Sequence, residues 1–87
     1  MIDLQECRKE IDVIDKEIMS LFEKRMKVCE DVAKYKIHTG KKVLDPKREK
    51  DKLKVLEEQA HGEFNTLGVQ ELFQQIMAIS RKRQYQL

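Results

Sequence analysis

A chain of 87 residues is long enough for one domain, and a domain of that size buries only a marginal core by itself. Charged residues make up 39% and aromatic residues 6%, with three glycines and one proline, which favours long solvated helices over a sheet protein. The 18 basic and 16 acidic residues are mixed along the chain and give a net charge of +2, so no nucleic-acid partner is expected.

The first predicted element is one long helix over about residues 3 to 38. No glycine or proline interrupts it before the polar turn predicted at His38 to Lys42, which contains Gly40. Ten positions recur at alternating steps of three and four, the heptad spacing of a helix that packs along one seam. This seam consists of Leu4, Cys7, Ile11, Ile14, Ile18, Leu21, Arg25, Val28, Val32 and Tyr35.

Two shorter helices are predicted to follow. Asp45-Pro46 is typical of an N-cap followed by proline at the first helical position, so the second helix spans about residues 46 to 60. Asn65 or Thr66 can cap a third helix over about residues 66 to 86. The residues predicted to face inward are Leu53 and Leu56 on the second helix, and Val69, Phe73, Ile76 or Met77, and Ser80 on the third.

The length of the first helix predicts the quaternary structure. About 35 residues of helix measure ~50 Å, whereas a compact chain of this size has a radius of gyration of only ~12 Å. The apolar seam would therefore face water unless a second chain covered it. We expect a single all-α domain over residues 1 to 87, with one long and two shorter helices, in an intertwined homodimer. A free coiled coil is the alternative, but it would not need the two later helices.

Cysteine and histidine usage argues against a disulfide or a metal site. Cys7 and Cys29 are ~33 Å apart on one helix, so they cannot bridge within a chain, and both are interpreted as small hydrophobic residues. The two histidines, His38 and His61, are assigned to loops without chemistry, and no metal or cofactor is expected. No segment has the length of a membrane helix or the core of a signal peptide, so we expect a cytoplasmic protein without a membrane partner.

Basic residues interrupt the apolar pattern of the first helix. Arg25 occupies a seam position, where a guanidinium is costly to bury without an anion or a carboxylate partner. Lys36 returns to almost the same face ~16 Å further on, so both side chains could close on one small anion. Arg8 precedes Arg25 by ~25 Å and can approach it only from the other chain of an antiparallel dimer.

The other two helices contain matching polar positions. Ser80 and Gln84 share one face of the third helix because they are four residues apart. Asp45, Arg48 and Glu49 cluster at the start of the second helix, where free N–H groups and the helix dipole favour anionic groups.

Taken singly, each of these residues also fits an ordinary structural role. Arg25 could form a buried ion pair that sets helix register, and Lys36 could be a surface lysine with a packed stem. Ser80 could be a small residue at a helix contact, and Gln84 an exposed amide. Asp45 could serve only as a helix cap, and Arg48 and Glu49 could lie on a solvated helix surface.

Taken together, the charged and polar residues singled out above on the three helices resemble the pattern of the all-helical chorismate mutases. The resemblance covers essentially the whole chain, from CRKEIDVIDKEIMSLFEKR through KYKIHTGKKVLDPKREKD to LFQQIMAISRKRQ. Its most specific part is a lysine followed by D-x-x-R-E, here Lys36 and Asp45-Pro46-Lys47-Arg48-Glu49.

The resemblance implies an enzyme that converts chorismate to prephenate by an intramolecular Claisen rearrangement, in phenylalanine and tyrosine biosynthesis and without a cofactor. It implies that Arg25 and the partner subunit's Arg8 bind the two carboxylates of chorismate. Lys36 and Gln84 are implied to donate hydrogen bonds to the ether oxygen of the breaking bond.

The resemblance also implies how the rest of the substrate is held. Glu49, with backbone near Asp45, would bind the ring hydroxyl, and Arg48 and Ser80 would complete the polar wall. Two alternatives stay open: an isochorismate-pyruvate lyase on the same fold, and a non-catalytic helical dimerisation module. The chain could also be a complete small enzyme or the front domain of a longer fusion.

Overall fold

A computed structural model describes all 87 residues as three helices without a strand. The helices are α1 (Leu4–Thr39), α2 (Pro46–Gln59) and α3 (Glu63–Gln86). α3 packs against both other helices, whereas α1 and α2 do not pack on each other. The predicted all-α fold with one long and two shorter helices is confirmed. No helix is both long enough and apolar enough to span a membrane.

The first helix extends two residues into the predicted turn. Asp3 caps its start by accepting a hydrogen bond from the Gln5 N–H at 2.9 Å. His38 and Thr39 were predicted to lie in the turn, but they continue the helix, so assigning His38 to a loop was wrong. The chain reverses only at Gly40, whose φ of 72° lies in the left-handed region that glycine adopts without a steric cost.

The two shorter helices begin differently. Asp45 caps α2 by accepting the Arg48 N–H at 3.1 Å, with Pro46 at the first helical position as predicted. α3 begins at Glu63, so the predicted cap at Asn65 or Thr66 was wrong. Both side chains instead donate hydrogen bonds of 2.9 Å to carbonyls four residues earlier, within the first turn. The chain enters α3 through Gly62, whose positive φ of 89° permits an earlier start.

The single chain is extended and largely uncovered. It measures 58 × 25 × 15 Å with a radius of gyration of 16.3 Å. It exposes 7547 Å², about 2,100 Å² more than the roughly 5,400 Å² expected of a compact monomer of its mass. Only four of the 87 residues are buried: Ala33, Met77, Ser80 and Gln84. Two of these four are polar, so the best-covered part of the chain is not an ordinary apolar core.

Two different faces of α1 are apolar. Every apolar seam residue from Ile11 to Tyr35 is between 40% and 63% exposed, which confirms that the chain's own helices cannot cover the seam. The face turned toward α3 is a neighbouring stripe of half-buried or buried residues: Phe22, Met26, Cys29 and Ala33. On α3, the predicted inner residues from Val69 to Ser80 are half-buried or buried. The seam therefore remains available after the chain has folded on itself.

Candidate functional site

A polar cavity of about 210 Å³ lies between the C-terminal half of α1, the start of α2 and the end of α3. Arg8 does not line it, because that exposed residue lies ~25 Å before Arg25 along α1. The other seven of the eight predicted site residues all line the cavity: Arg25, Lys36, Asp45, Arg48, Glu49, Ser80 and Gln84. The fold therefore assembles residues from all three helices at one place.

The Arg25 guanidinium has no anionic partner within the chain. The half-buried side chain makes one weak contact, from Nη1 to the Cys29 Sγ at 3.7 Å. None of the four ion pairs in the chain includes Arg25, so the alternative of a register-setting ion pair within the chain is excluded. A partly desolvated guanidinium of this kind favours an external anion.

Lys36 is held in place by the loop between α1 and α2. Its half-buried side chain donates a hydrogen bond from Nζ to the Val43 carbonyl oxygen at 2.7 Å. An ammonium group has three N–H donors, so this contact fixes its position and leaves donors for a ligand. The side chain is therefore more constrained than the surface lysine of the alternative interpretation.

Ser80 and Gln84 are buried, with 6% and 8% of their surfaces exposed, which excludes the interpretation of Gln84 as an exposed amide. The Gln84 Nε2 donates to the Ser80 Oγ at 3.2 Å, and the Ser80 hydroxyl donates to the Cys29 Sγ at 2.9 Å. The Gln84 Oε1 is buried without a hydrogen-bond partner. A buried acceptor without a hydrogen-bond partner lowers the stability of the folded protein. Its presence here indicates that a polar ligand binds beside the amide. Rotation of the amide group would present its N–H donors at the same position.

Cys29 does not behave as the small hydrophobic residue that the sequence predicted. Its thiol lines the polar cavity and accepts the hydrogen bond from Ser80, although it is a free cysteine like Cys7. The difference arises because Cys29 lies one position beyond the seam residue Val28, and one residue rotates a helical side chain by about 100°. That rotation directs it toward α3.

The start of α2 supplies the acidic side of the cavity. The Asp45 carboxylate accepts the hydrogen bond that caps α2, whereas the Arg48 side chain is exposed at the rim of the cavity. Glu49 forms an ion pair with Arg81 of α3. The sequence did not identify Arg81 or Lys52, which also line the cavity, because both resemble ordinary charged positions on solvated helices.

The charge balance of the cavity suits a small anion. Five basic side chains line it: Arg25, Lys36, Arg48, Lys52 and Arg81. The two acidic residues are engaged, one as a cap and one in an ion pair. No histidine lines the cavity, and its two carboxylates are those of Asp45 and Glu49. The arrangement can bind an anion, fix its shape and donate hydrogen bonds to it.

An apolar groove of about 620 Å³ adjoins this cavity. It lies between α1 and α3, and Arg25 lines both spaces. Its apolar lining consists of Ile18, Met19, Leu21, Phe22, Leu72, Phe73, Ile76 and Ile79. An exposed apolar groove of this kind is typical of a surface that another polypeptide covers.

Known proteins share the sequence pattern and the helical arrangement. The family model for chorismate mutase type II matches residues 7–85. A chorismate mutase of Methanocaldococcus jannaschii is 45% identical over 47 residues, which are 54% of this chain and 48% of that protein. The chain thus matches about half the length of that curated relative.

Two solved structures are similar over nearly the whole chain. Form II of chorismate mutase from Thermus thermophilus gives a TM-score of 0.90 at 28% identity, covering 94% of this chain and 93% of that one. Form I from the same organism gives a TM-score of 0.83 at 30% identity, covering 88% and 96%.

Proposed function

The chain belongs to the chorismate mutase type II family, and on that basis we propose that it converts chorismate to prephenate in phenylalanine and tyrosine biosynthesis. The observation that carries this proposal is the convergence of three groups in one cavity. They are the unpaired Arg25 guanidinium, the fixed Lys36 ammonium and the buried, incompletely paired Gln84 amide. Free thiols at both cysteines suit a reducing compartment, and we propose that the enzyme acts in the cytoplasm.

The chemistry of chorismate matches these groups. Chorismate has two carboxylates, a ring hydroxyl and an ether oxygen that joins the ring to the enolpyruvyl side chain. In the Claisen rearrangement, the ether C–O bond breaks as a C–C bond forms within the same molecule. No nucleophile or proton transfer is required. The enzyme needs to hold the compact, chair-like conformer and to stabilise negative charge that grows on the ether oxygen.

Four residues are proposed to act on the carboxylates and the ether oxygen. Arg25 and the partner subunit's Arg8 bind the two carboxylates, which is supported by the absence of an anionic partner for Arg25 within the chain. Lys36 and Gln84 donate to the ether oxygen. The Lys36 ammonium is already fixed by the Val43 carbonyl and needs little reorganisation when charge develops. The buried Gln84 amide presents its N–H donors after the rotation described above.

The remaining residues are proposed to hold the ring. The Glu49 carboxylate, with backbone near Asp45, accepts the hydrogen bond of the ring hydroxyl. Arg48 and Ser80 complete the polar wall, one at the exposed rim and one at the buried end.

We further propose that the active unit is an antiparallel, intertwined homodimer. Each chain has an uncovered seam and exposes about 2,100 Å² more surface than a compact monomer would. Two such chains therefore have enough surface for an obligate interface, which often buries more than about 2,000 Å² in total. A helix of the partner subunit that lay in the apolar groove would contact Arg25, because Arg25 lines the groove. For the partner's Arg8 to lie level with Arg25, the two-fold axis must cross α1 midway between these positions, near Lys16 and Glu17.

Unfolding and dissociation are expected to occur together. If the seam is covered only in the dimer, the melting temperature should rise with protein concentration, by about 4 °C for each tenfold increase. Differential scanning calorimetry across a hundredfold concentration range measures this slope. A slope of zero, or a folded and active monomer in analytical ultracentrifugation, would contradict the proposed dimer.

The proposed activity is tested with the purified wild-type chain. Chorismate absorbance should fall without added metal or cofactor, and acid treatment of the product should yield phenylpyruvate, which identifies prephenate. Isochorismate is assayed separately, because release of pyruvate from it would support the lyase alternative. Absence of turnover of both compounds by a folded dimer would favour the non-catalytic alternative.

A further inference from the structure

An ion pair links two walls of the cavity. Arg81 of α3 donates a hydrogen bond from Nη1 to the Oε1 of Glu49 on α2, and the two side chains are 28% and 27% exposed. The second carboxylate oxygen, Oε2, has no hydrogen-bond partner within the chain. One oxygen of Glu49 is therefore fixed, and the other can accept a hydrogen bond.

Glu49 lies among several competing cations. Arg25, Lys36, Arg48 and Lys52 line the same cavity, and each would attract a mobile carboxylate. A Glu49 side chain that turned toward Arg25 or Lys36 would neutralise a group needed by an anionic ligand. The contact with Arg81 holds Glu49 on the side where α2 meets α3. Arg81 thus forms the ion pair with Glu49, so that none of the cations proposed to bind the substrate has to neutralise this carboxylate.

We propose that Arg81 is a positioning residue for Glu49 and thereby contributes to recognition of the ring hydroxyl. The inference rests on the proposed function, because the hydroxyl belongs to chorismate. Arg81 fixes Oε1 through a charge-assisted hydrogen bond, which leaves Oε2 free to accept the hydrogen bond of the hydroxyl. Arg81 itself makes no contact with the substrate, and its effect on catalysis passes through Glu49.

Two other roles for Arg81 make different predictions. If Arg81 bound a substrate carboxylate directly, its contribution would be independent of Glu49. If it only joined α3 to α2, its removal would lower stability without altering kinetics. A double-mutant cycle separates these roles from positioning, because coupled residues show non-additive effects.

The experiment measures kcat and KM for chorismate in Arg81→Met, Glu49→Gln and the double variant. Each single variant is expected to lower kcat/KM about tenfold, the scale of one charge-assisted hydrogen bond. The double variant should stay within about twofold of Glu49→Gln. The loss should fall mainly on KM, because the hydroxyl contact exists in both the bound substrate and the transition state. Arg81→Lys, which retains one charged donor, should lie between wild type and Arg81→Met.

Arg83→Met is the matched control. Arg83 lies two residues later on α3 and forms a comparable interhelical ion pair with Glu30 of α1 at 2.9 Å. It does not line the cavity. Its removal should lower the melting temperature by a similar amount to Arg81→Met, while kcat/KM stays within about twofold of wild type.

Two results would overturn the positioning role. An additive loss of about a hundredfold in the double variant would show that Arg81 acts on the substrate directly. Unchanged kinetics in Arg81→Met, with only the melting temperature lowered, would show that it is a structural contact. If the wild type failed to turn over chorismate, the proposed function would fail separately. The same cycle on chorismate binding, measured by calorimetry, would still decide the role of Arg81.

Discussion

Mixing Arg8→Ala chains with Lys36→Ala chains is expected to restore about a quarter of wild-type activity, although each variant alone should be nearly inactive. The two residues lie on the same helix but are proposed to serve different sites of the dimer. After unfolding and random reassociation, half of the dimers contain one chain of each kind. Each such heterodimer has one site with both residues intact and one site that lacks both. The measurement is kcat per total subunit after refolding the mixture.

The single variants should be nearly inactive because each loss removes a charged contact inside a partly desolvated cavity. Arg8→Ala leaves a substrate carboxylate without its guanidinium. Lys36→Ala removes a donor to the oxygen that becomes negative in the transition state. Loss of one such preorganised donor typically costs about 100-fold to 1000-fold in rate.

A second mixture provides the control. Arg25→Ala and Lys36→Ala chains carry substitutions at two positions that line the same cavity of one chain. Neither site of their heterodimer is intact, so this mixture should stay inactive. Subunit exchange is verified by mass spectrometry with differently tagged chains. No recovery in the Arg8 mixture, despite verified exchange, would mean that Arg8 does not serve the partner's site.

Gln84→Glu is expected to be severely impaired near about pH 8 and to regain activity toward about pH 5, as the carboxyl group becomes protonated. The wild-type amide donates hydrogen bonds at any of these pH values because it does not titrate. The ionised carboxylate offers only acceptors. It would also place a negative charge beside the ether oxygen, where negative charge develops. At the higher pH, loss of this donor should cost at least about 100-fold in kcat/KM.

The pH at which Gln84→Glu regains activity depends on the surroundings of residue 84. Burial of the site and the two carboxylates of bound chorismate raise the pKa of the introduced carboxyl group above that of a solvated glutamate. The Lys36 ammonium lowers the same pKa. Only the protonated form can donate, so activity should increase as the pH falls through this pKa.

Gln86→Glu is the matched control for this substitution. Gln86 is an exposed glutamine on the same helix and does not line the cavity. Its variant should follow the wild-type profile, and circular dichroism at each pH verifies that both variants remain folded. Parallel pH profiles for Gln84→Glu and the wild type would show that Gln84 does not donate to the ether oxygen.

Local chemistry explains why much of the fold could be predicted from the sequence. An apolar residue every three or four positions requires a helix, and the first glycine of the chain, Gly40, marks where α1 ends. The Asp45-Pro46 cap also acts within one turn of helix. The seven site residues that share one cavity were identified because they interrupt or cap the helices and together resemble one family's pattern, and their roles in the reaction stay predictions.

Only the tertiary structure decided which surfaces of these helices meet. The stripe from Phe22 to Ala33, rather than the more regular seam, packs on α3, and the two stripes differ by one position in sequence. Arg81 and Glu49 are 32 residues apart, so their ion pair depends on how α3 packs against α2. Helical periodicity describes each helix separately. The rotation and crossing of packed helices depend on contacts between residues far apart in sequence, and those contacts exist only after the chain has folded.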